Sequence, residues 1–291
     1  MTPAQQPGIL RFALPKGRMQ DNVLRLLDDA GVKVRLGQRE YRPTISLPGF
    51  ETKFLKPQNI VEMLDTGSRD LGFAGADWVA ELGAGVVELL DTGLDPVHLV
   101  AAGPTGLLVN GQLPVQELLV ASEYESLTRQ WIARNGLNAR FVRSFGATEV
   151  FPPEDADLIV DNSATGSTLV ANGLTIVDTL MTSSTRLYAH PRALEDGAKR
   201  ERIDHLVLLL KSVLEARRRV MLEVNVTRDN LEQVVAVLPC MREPTIASLH
   251  GDTGFAVKAA VPRADLPTLI PAIKQAGGTD IVISQTTQIV P

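Results

Sequence analysis

The sequence has few aromatic residues and almost no cysteine. Aromatic residues make up 4% of its 291 residues, so its cores must be built mainly from Leu, Val, Ile and Ala. The single cysteine, Cys240, excludes an internal disulfide, which fits a reducing compartment. The first residues lack the basic and apolar segments of a signal peptide, and no apolar run approaches the roughly 20 residues that span a bilayer. These features predict a cytoplasmic protein without a membrane partner.

Basic residues do not outnumber acidic ones. The formal net charge is −5, which gives no electrostatic reason to expect nucleic acid as a partner. The four histidines (His98, His190, His205 and His250) are scattered, without the spacing or nearby cysteines of a metal site. The sequence therefore predicts no metal that the side chains hold by themselves.

The first two-thirds of the chain alternates short apolar runs with helical patterns. This alternation is typical of α/β proteins with mostly parallel strands. The pattern restarts around Pro96–Gly103, and two predicted strands, Ile176–Met181 and Arg186–Ala189, lead back toward the first group. We therefore expect two crossed α/β lobes like those of periplasmic binding proteins, and a ligand site in the cleft between them. The predicted lobes are residues 1–97 with 181–211, and residues 98–180.

The end of the chain has a different pattern. After a long predicted helix, about Ala198–Arg217, the segments follow in the order strand, helix, strand, strand, helix, strand. This order is typical of the ferredoxin-like fold. Residues 212–291 are therefore predicted to form a separate domain, although a fold by itself does not determine a function.

The most informative segment runs from Asp157 to Leu169. An apolar strand ends at the carboxylate of Asp161, and a loop of small residues follows before a helix. Gly166 lets the backbone approach a ligand, and the N–H groups at a helix start attract anions. Four hydroxyl residues within six positions exceed what a simple helix cap needs. We interpret the segment as a phosphate site, with Asp161 accepting hydrogen bonds from a ribose diol. The predicted binding set is Asp161, Ser163, Ala164, Thr165, Gly166, Ser167 and Thr168.

Three separated motifs resemble the ATP phosphoribosyltransferase family. They are Leu10–Arg18, Asp70–Asp77, and Glu149 with the segment Asp157–Leu174. Pro244–Ile246 and the C-terminal pattern are similar to the regulatory domain of the family's long form. The sequence departs from the family pattern at Asn162, where an apolar residue is usual, and at Lys56, where an arginine is usual.

The resemblance implies a reaction of the glycosyltransferase class. In this reaction N1 of ATP displaces pyrophosphate from C1 of phosphoribosyl pyrophosphate (PRPP), as the first step of histidine biosynthesis. ATP and PRPP are the implied substrates, and Mg²⁺ is the implied cofactor, bound through the pyrophosphate. The resemblance also implies a homo-oligomer, with dimers that assemble into a hexamer.

Three further residues are candidates for catalysis. Positive charge develops at C1 while an anion leaves, so cationic side chains are needed near the pyrophosphate. Lys16 and Arg18, on the turn after the first strand, are the candidates, and both also fit ordinary solvated charges. The resemblance assigns Glu149 to the ribose or to magnesium, although a lone carboxylate there also fits a surface residue.

The resemblance to the long form also implies feedback inhibition by histidine through the C-terminal domain. Two of its loops carry polar groups that suit the carboxylate, ammonium group and imidazole of histidine. The candidates are Ser248 in one loop, and Thr279 and Asp280 in the other. Both loops also fit plain turns.

Two other functions compete with this interpretation. A two-lobed solute-binding protein has the same predicted architecture, but the missing signal-peptide pattern and the hydroxyl-rich loop argue against it. Another PRPP-dependent transferase is the second alternative. Such enzymes commonly carry two adjacent acidic residues before the loop, whereas here Asp161 is followed by Asn162.

Overall fold

A computed structural model describes residues 8–36, 41–108 and 111–290 of the chain. These residues form two compact units. The first unit runs up to Asp28 and from Val32 to Asp204, and the second contains Asp29–Gly31 and the chain from His205 onward. Across the described ranges, no helix is both long enough and apolar enough to cross a membrane.

The strands and helices follow closely the alternation expected from the sequence. The strands are β1 (Leu10–Pro15), β2 (Val34–Arg35), β3 (Thr44–Ile45), β4 (Phe50–Leu55), β5 (Leu71–Gly75), β6 (Val87–Pro104), β7 (Leu118–Ser122), β8 (Ala139–Arg143), β9 (Leu158–Ser163), β10 (Leu174–Ala189), β11 (Arg219–Val226), β12 (Thr245–Ser248), β13 (Phe255–Pro262) and β14 (Thr279–Ser284). The helices are α1 (Gln20–Asp29), α2 (Pro57–Asp65), α3 (Ala76–Leu82), α4 (Glu125–Arg134), α5 (Ser167–Ala171), α6 (Pro191–Glu195), α7 (Gly197–Arg218), α8 (Leu231–Val237) and α9 (Leu266–Gln275).

The first unit is built on one sheet with the strand order β4-β1-β5-β10-β6-β9-β7-β8. Strand β1 pairs in parallel with β4 and β5, and β7 pairs in parallel with β8 and β9. The long strands β6 and β10 are antiparallel to each other and join the two parallel groups. The predicted fold of two crossed α/β lobes is confirmed. The lobe limits at residues 97 and 181 stay a prediction.

The prediction of two separate strands between Ile176 and Ala189 is wrong, because β10 is continuous over this range. The sequence pattern breaks at the polar residues Ser183, Ser184 and Thr185, which are nevertheless buried. The hydroxyl of Ser183 donates to Asp77, and the hydroxyl of Thr185 donates to Asp95. Because these groups are hydrogen-bonded, burying them costs little and the strand continues.

The second unit has a sheet of its own, with the order β12-β13-β11-β14 and all neighbours antiparallel. Every second residue of β11 is buried, as expected for a strand with one face on a core. The core cluster beneath it is drawn from residues 220–273. The predicted ferredoxin-like domain is confirmed. The second unit begins inside α7, the same helix in which the sequence analysis places the start of that domain.

Candidate active site

The strand directions bring the two parallel groups of the first unit to face each other. Strand β5 runs in the direction of β6, because both are antiparallel to β10, while β9 runs against β6. The carboxyl ends of β1 and β5 therefore point toward the second group, and the carboxyl ends of β7 and β9 point toward the first. Loops that follow these ends meet in one place, as is usual for ligand sites in α/β proteins.

A cavity of about 290 Å³ lies at this place, and we call it the loop cavity. It is lined by Arg18, Glu149, Asp161, Asn162, Ser163, Ala164, Thr165, Gly166, Ser167, Thr168 and Leu169. The structure therefore brings together all seven residues of the predicted phosphate and ribose site with Arg18 and Glu149. It does not bring Lys16 there: the Nζ atom of Lys16 lies 3.6 Å from the centre of the Tyr41 ring.

The segment of residues 163–168, here called the loop, is held by its own hydroxyl groups. The N–H of Gly166 donates to the Oγ of Ser163 at 3.0 Å, and the hydroxyls of Thr165 and Ser167 are 2.9 Å apart. Gly166 has a φ of +76°, in the left-handed region that favours glycine. A side chain added at Gly166 would meet no atom within 4 Å, because the open space of the cavity lies in front of it. Buried Leu169 anchors α5 behind the loop.

Among the described residues that line the loop cavity, Asp161 alone has a strongly shifted pKa. Burial raises the pKa of Asp161 to about 6. The N–H of Asn162 opposes this rise by donating to Asp161 at 2.7 Å, and Thr148 opposes it through a further hydrogen bond. The negative charges of Glu123 and Glu149 raise the pKa further. A ligand that favours the ionised form of Asp161 therefore lowers this pKa and releases a proton from the carboxyl group near pH 6.

The sequence analysis missed a buried hydrogen-bond network beside the loop cavity. The Tyr124 hydroxyl donates to Asp77 at 2.6 Å, and Asn162 donates to the same hydroxyl at 2.9 Å. The Ser183 hydroxyl donates to the other oxygen of Asp77 at 2.7 Å, and the ring of Trp78 stacks on Tyr124. Burial raises the pKa of Tyr124 far above its ordinary value, and the charge of Asp77 adds to this effect. Tyr124 is therefore a neutral donor at physiological pH.

This network explains two residues that the sequence pattern left open. Asn162 stands where the family pattern has an apolar residue, and its amide is used here by Tyr124. The sequence also allows Asp77 to be the N-cap of α3, but Gly75 occupies the cap position. Asp77 instead lies in the first turn, where it is 4% exposed and binds Ser183 and Tyr124. The departure at Asn162 was the one signal in the sequence that could have indicated the network.

The described residues hold no group of three or more His, Cys, Asp or Glu side chains that could bind a metal by themselves. Mg²⁺ keeps several waters and commonly binds through one or two carboxylates together with substrate phosphates. Asp161 and Glu149, which both line the loop cavity, suit the carboxylate part of such a site. The residues present therefore fit a magnesium ion that arrives with a pyrophosphate group.

The candidate histidine residues lie in one row at one end of the second sheet. Ser248 pairs with Phe255, Phe255 with Val226, and the neighbouring Asn225 with Thr279. Ser248 is therefore on one edge strand while Thr279 and Asp280 are on the other, three strand spacings or roughly 14 Å apart. Thr279 and Asp280 form a local cluster in which Thr279 and Asn225 both donate to Asp280 at 3.2 Å. Within one chain a single histidine cannot contact both edges.

Known proteins match the chain along most of its length. A sequence model described as HisG: ATP phosphoribosyltransferase matches residues 56–212, and a model of the HisG C-terminal domain matches residues 216–288. The ATP phosphoribosyltransferase of Pelotomaculum thermopropionicum is 35% identical over 287 residues, covering 97% of this chain and 99% of that protein. The ATP phosphoribosyltransferase of Chlorobium phaeobacteroides is 35% identical over 278 residues, covering 94% and 95%.

A solved structure gives the same result. The ATP phosphoribosyl transferase (HisG:HisZ) complex from Thermotoga maritima contains a chain with a TM-score of 0.64 and 26% identity. The match covers 71% of this chain and 99% of that one. The sequence matches across both units agree with the fold, and the chain belongs to the ATP phosphoribosyltransferase family.

Proposed function

We propose that the loop cavity is the PRPP site at which the chain, a pentosyl transferase of histidine biosynthesis, joins N1 of ATP to C1 of PRPP. The observation that carries the residue roles is the convergence of the loop with Arg18, Glu149 and Asp161 in one cavity. Arg18 comes from a distant part of the sequence, so its meeting with the loop is independent of the loop motif.

The loop suits the 5-phosphate of PRPP. The loop residues line the cavity, and the space in front of Gly166 is open. The first turn of α5 also leaves N–H groups without partners inside the helix. Each hydrogen bond to a charged group contributes roughly 1.5–3 kcal/mol, so several such bonds suffice for tight binding. The ionised Asp161 then accepts hydrogen bonds from the ribose diol, which fixes the sugar relative to the phosphate.

The reaction forms the N1–C1 bond and breaks the bond from C1 to the pyrophosphate oxygen, and the electron pair leaves with pyrophosphate. The guanidinium group of Arg18 stabilises the negative charge on this leaving group. The carboxylates of Asp161 and Glu149 stabilise the positive charge that develops on the ribose. Mg²⁺, when bound with PRPP, neutralises part of the pyrophosphate charge. We leave Lys16 out of this scheme because its ammonium group lies over Tyr41.

The activity is tested directly by product analysis. We expect that the protein, incubated with ATP, PRPP, Mg²⁺ and pyrophosphatase, forms a product with the mass of phosphoribosyl-ATP. The pyrophosphatase removes the product pyrophosphate and pulls the reaction forward. The proposal would be contradicted if no product forms from ATP, or if PRPP reacts only with other bases. Omission of PRPP is the matched control.

We expect the affinity for PRPP to fall as the pH drops through about 6, because Asp161 has its pKa there and PRPP favours the ionised form. One pH unit below this value only about a tenth of Asp161 is ionised, so binding weakens by about tenfold. The dissociation constant should be measured by calorimetry from pH 5 to pH 8. Glu149→Gln removes a negative charge that raises this pKa, so it should move the transition to lower pH.

Asp161→Asn is the control for this measurement, since PRPP phosphates also titrate in the same range. The variant should bind PRPP more weakly and keep only the pH dependence of the ligand itself. An identical pH profile for the wild type and Asp161→Asn would exclude Asp161 as the titrating group.

Three wider properties are also part of the proposal. The two edge positions of the second sheet are too far apart for one histidine, so we propose that histidine binds at one edge or between edges of two copies. From the family resemblance we also propose a homo-oligomer, in which dimers assemble into a hexamer. The single cysteine supports a cytoplasmic setting, where ATP and PRPP are both available.

A further inference from the structure

The largest cavity among those found in the first unit is not the loop cavity. It measures about 730 Å³, and we call it the basic cavity. The cationic side chains that line it are Arg11, Arg42, Lys53, Arg69, Arg192 and Lys199. The lining also includes the carboxylates of Glu51, Asp70 and Asp196. Cations therefore outnumber carboxylates by two to one in a protein whose net charge is −5.

The basic cavity lies at the opposite end of β1 from the loop cavity. Arg11 is the second residue of β1, whereas Arg18 follows the end of the strand. A strand rises about 3.3 Å per residue, so the six residues of β1 separate these two ends by roughly 20 Å. The two groups of cations therefore serve different places on the molecule.

One carboxylate of the basic cavity is fully used by its neighbours. Asp70 is buried, and Arg11 donates to both of its oxygens, at 2.8 and 3.0 Å. Lys199 also donates to Asp70 at 3.0 Å. Burial opposes ionisation, yet these hydrogen bonds hold the pKa of Asp70 below its ordinary value. Two cations thus share one carboxylate, which leaves a net positive charge.

A second carboxylate is shared even more loosely. Glu51 is half-exposed and lies 3.6 Å from Nη1 of Arg69 and 3.8 Å from Nη1 of Arg42. Both distances exceed a hydrogen bond. The Arg69 side chain is 9% exposed, and its buried Nη1 has no hydrogen-bond partner in the described parts of the chain. The ion pair with half-exposed Glu51 therefore compensates the buried charge of Arg69 only in part.

Two further cations of the basic cavity have no ion pair with any described residue, namely Lys53 and Arg192. Burial lowers the pKa of Lys53, and the positive charges of Arg69 and Arg42 lower it further. The third carboxylate, Asp196, accepts hydrogen bonds from the N–H groups of Ala198 and Lys199 at the start of α7. The crowded cations are therefore not balanced by the carboxylates around them.

We propose that the basic cavity is a second anion site, which binds a small polyanion carrying two or more phosphate groups. Arg guanidinium groups recognise phosphate through paired hydrogen bonds, and Arg42 and Arg192 line the cavity together with Lys53. The cavity volume lies in the range of small-molecule sites. No Phe, Tyr or Trp is among the lining residues described, so the site recognises phosphate groups rather than a base.

Pyrophosphate is the probe that tests this site, and the loop cavity must first be blocked. We expect calorimetry to detect one pyrophosphate site per chain in a parent protein that carries Gly166→Val and Arg18→Gln, which disable the 5-phosphate and pyrophosphate positions of the loop cavity. Adding Lys53→Gln and Arg192→Gln should weaken that binding at least tenfold. The matched control is Arg263→Gln with Lys274→Gln, which removes two exposed cations of the second unit and the same total charge. This control should bind pyrophosphate as the parent protein does.

The test distinguishes this site from the PRPP site. A parent protein that binds no pyrophosphate would overturn the second site, as would equal binding by the Lys53/Arg192 variant and its control. If the parent protein instead has two sites, the assignment of the loop cavity fails, while loss of one of them in the Lys53/Arg192 variant still supports the basic cavity. Parallel titrations with inorganic phosphate and tripolyphosphate show how many phosphate groups the site binds, without a nucleotide that the catalytic ATP position would also bind. Melting temperatures of all variants confirm that they are folded.

Discussion

Gly166→Val is expected to weaken PRPP binding at least 100-fold while the secondary structure is retained. The φ of +76° at this position is strained for a β-branched residue, and the new side chain would project into the open space of the loop cavity. It would keep the phosphate from the backbone and the surrounding hydroxyls. Loss of two charge-assisted hydrogen bonds costs about 3–6 kcal/mol, which corresponds to a factor of roughly 100 or more.

Gly173→Val is the matched control for this experiment. Gly173 has a φ of +70°, and a side chain added there also meets no atom within 4 Å. It lies beyond the other end of α5 and does not line the loop cavity. Both variants carry the same backbone strain, so their melting temperatures should fall by similar amounts. Calorimetry should show that only Gly166→Val loses PRPP binding, and equal losses would mean that strain, not the loop, is responsible.

The phosphate loop could be predicted from the sequence because its parts are adjacent in the chain. A buried strand, a carboxylate, four hydroxyls and a glycine lie within Leu158–Thr168, and local geometry places them around one point. The same holds for the ferredoxin-like unit, whose strands and helices alternate with clear periods. Short-range patterns of this kind determine local structure directly.

The Tyr124 network could not be predicted in this way. Tyr124 and Asp77 are 47 residues apart, and Ser183 is 106 residues from Asp77. Their contacts depend on the pairing of β6 and β10, which brings the two parallel groups together. A single sequence contains no signal for this pairing, because the polar residues of β10 resemble a break between two strands. The basic cavity could not be predicted for the same reason, because its lining residues extend along the chain from Arg11 to Lys199.

Histidine control is the second large effect that we expect. We propose that histidine inhibits the full-length enzyme and that a chain ending at Arg218 is active but insensitive to it. Arg218 is the end of α7, so this truncation removes β11–β14 without cutting a helix. The core cluster of the removed part is drawn from residues 220–273 and leaves with it. The loop cavity, which is lined by residues 18–169, remains complete.

The physical basis of this prediction is a difference in affinity. Histidine can inhibit only if it binds one arrangement of the enzyme more tightly than another, typically by about 1–3 kcal/mol, or roughly 5- to 150-fold. Initial rates with and without histidine should therefore differ for the full-length chain and agree for the truncated one. Asp280→Ala and Ser248→Ala, made separately in the full-length chain, then test the two sheet edges. If histidine leaves the full-length rate unchanged, or still inhibits the truncated chain, the C-terminal unit has a different role.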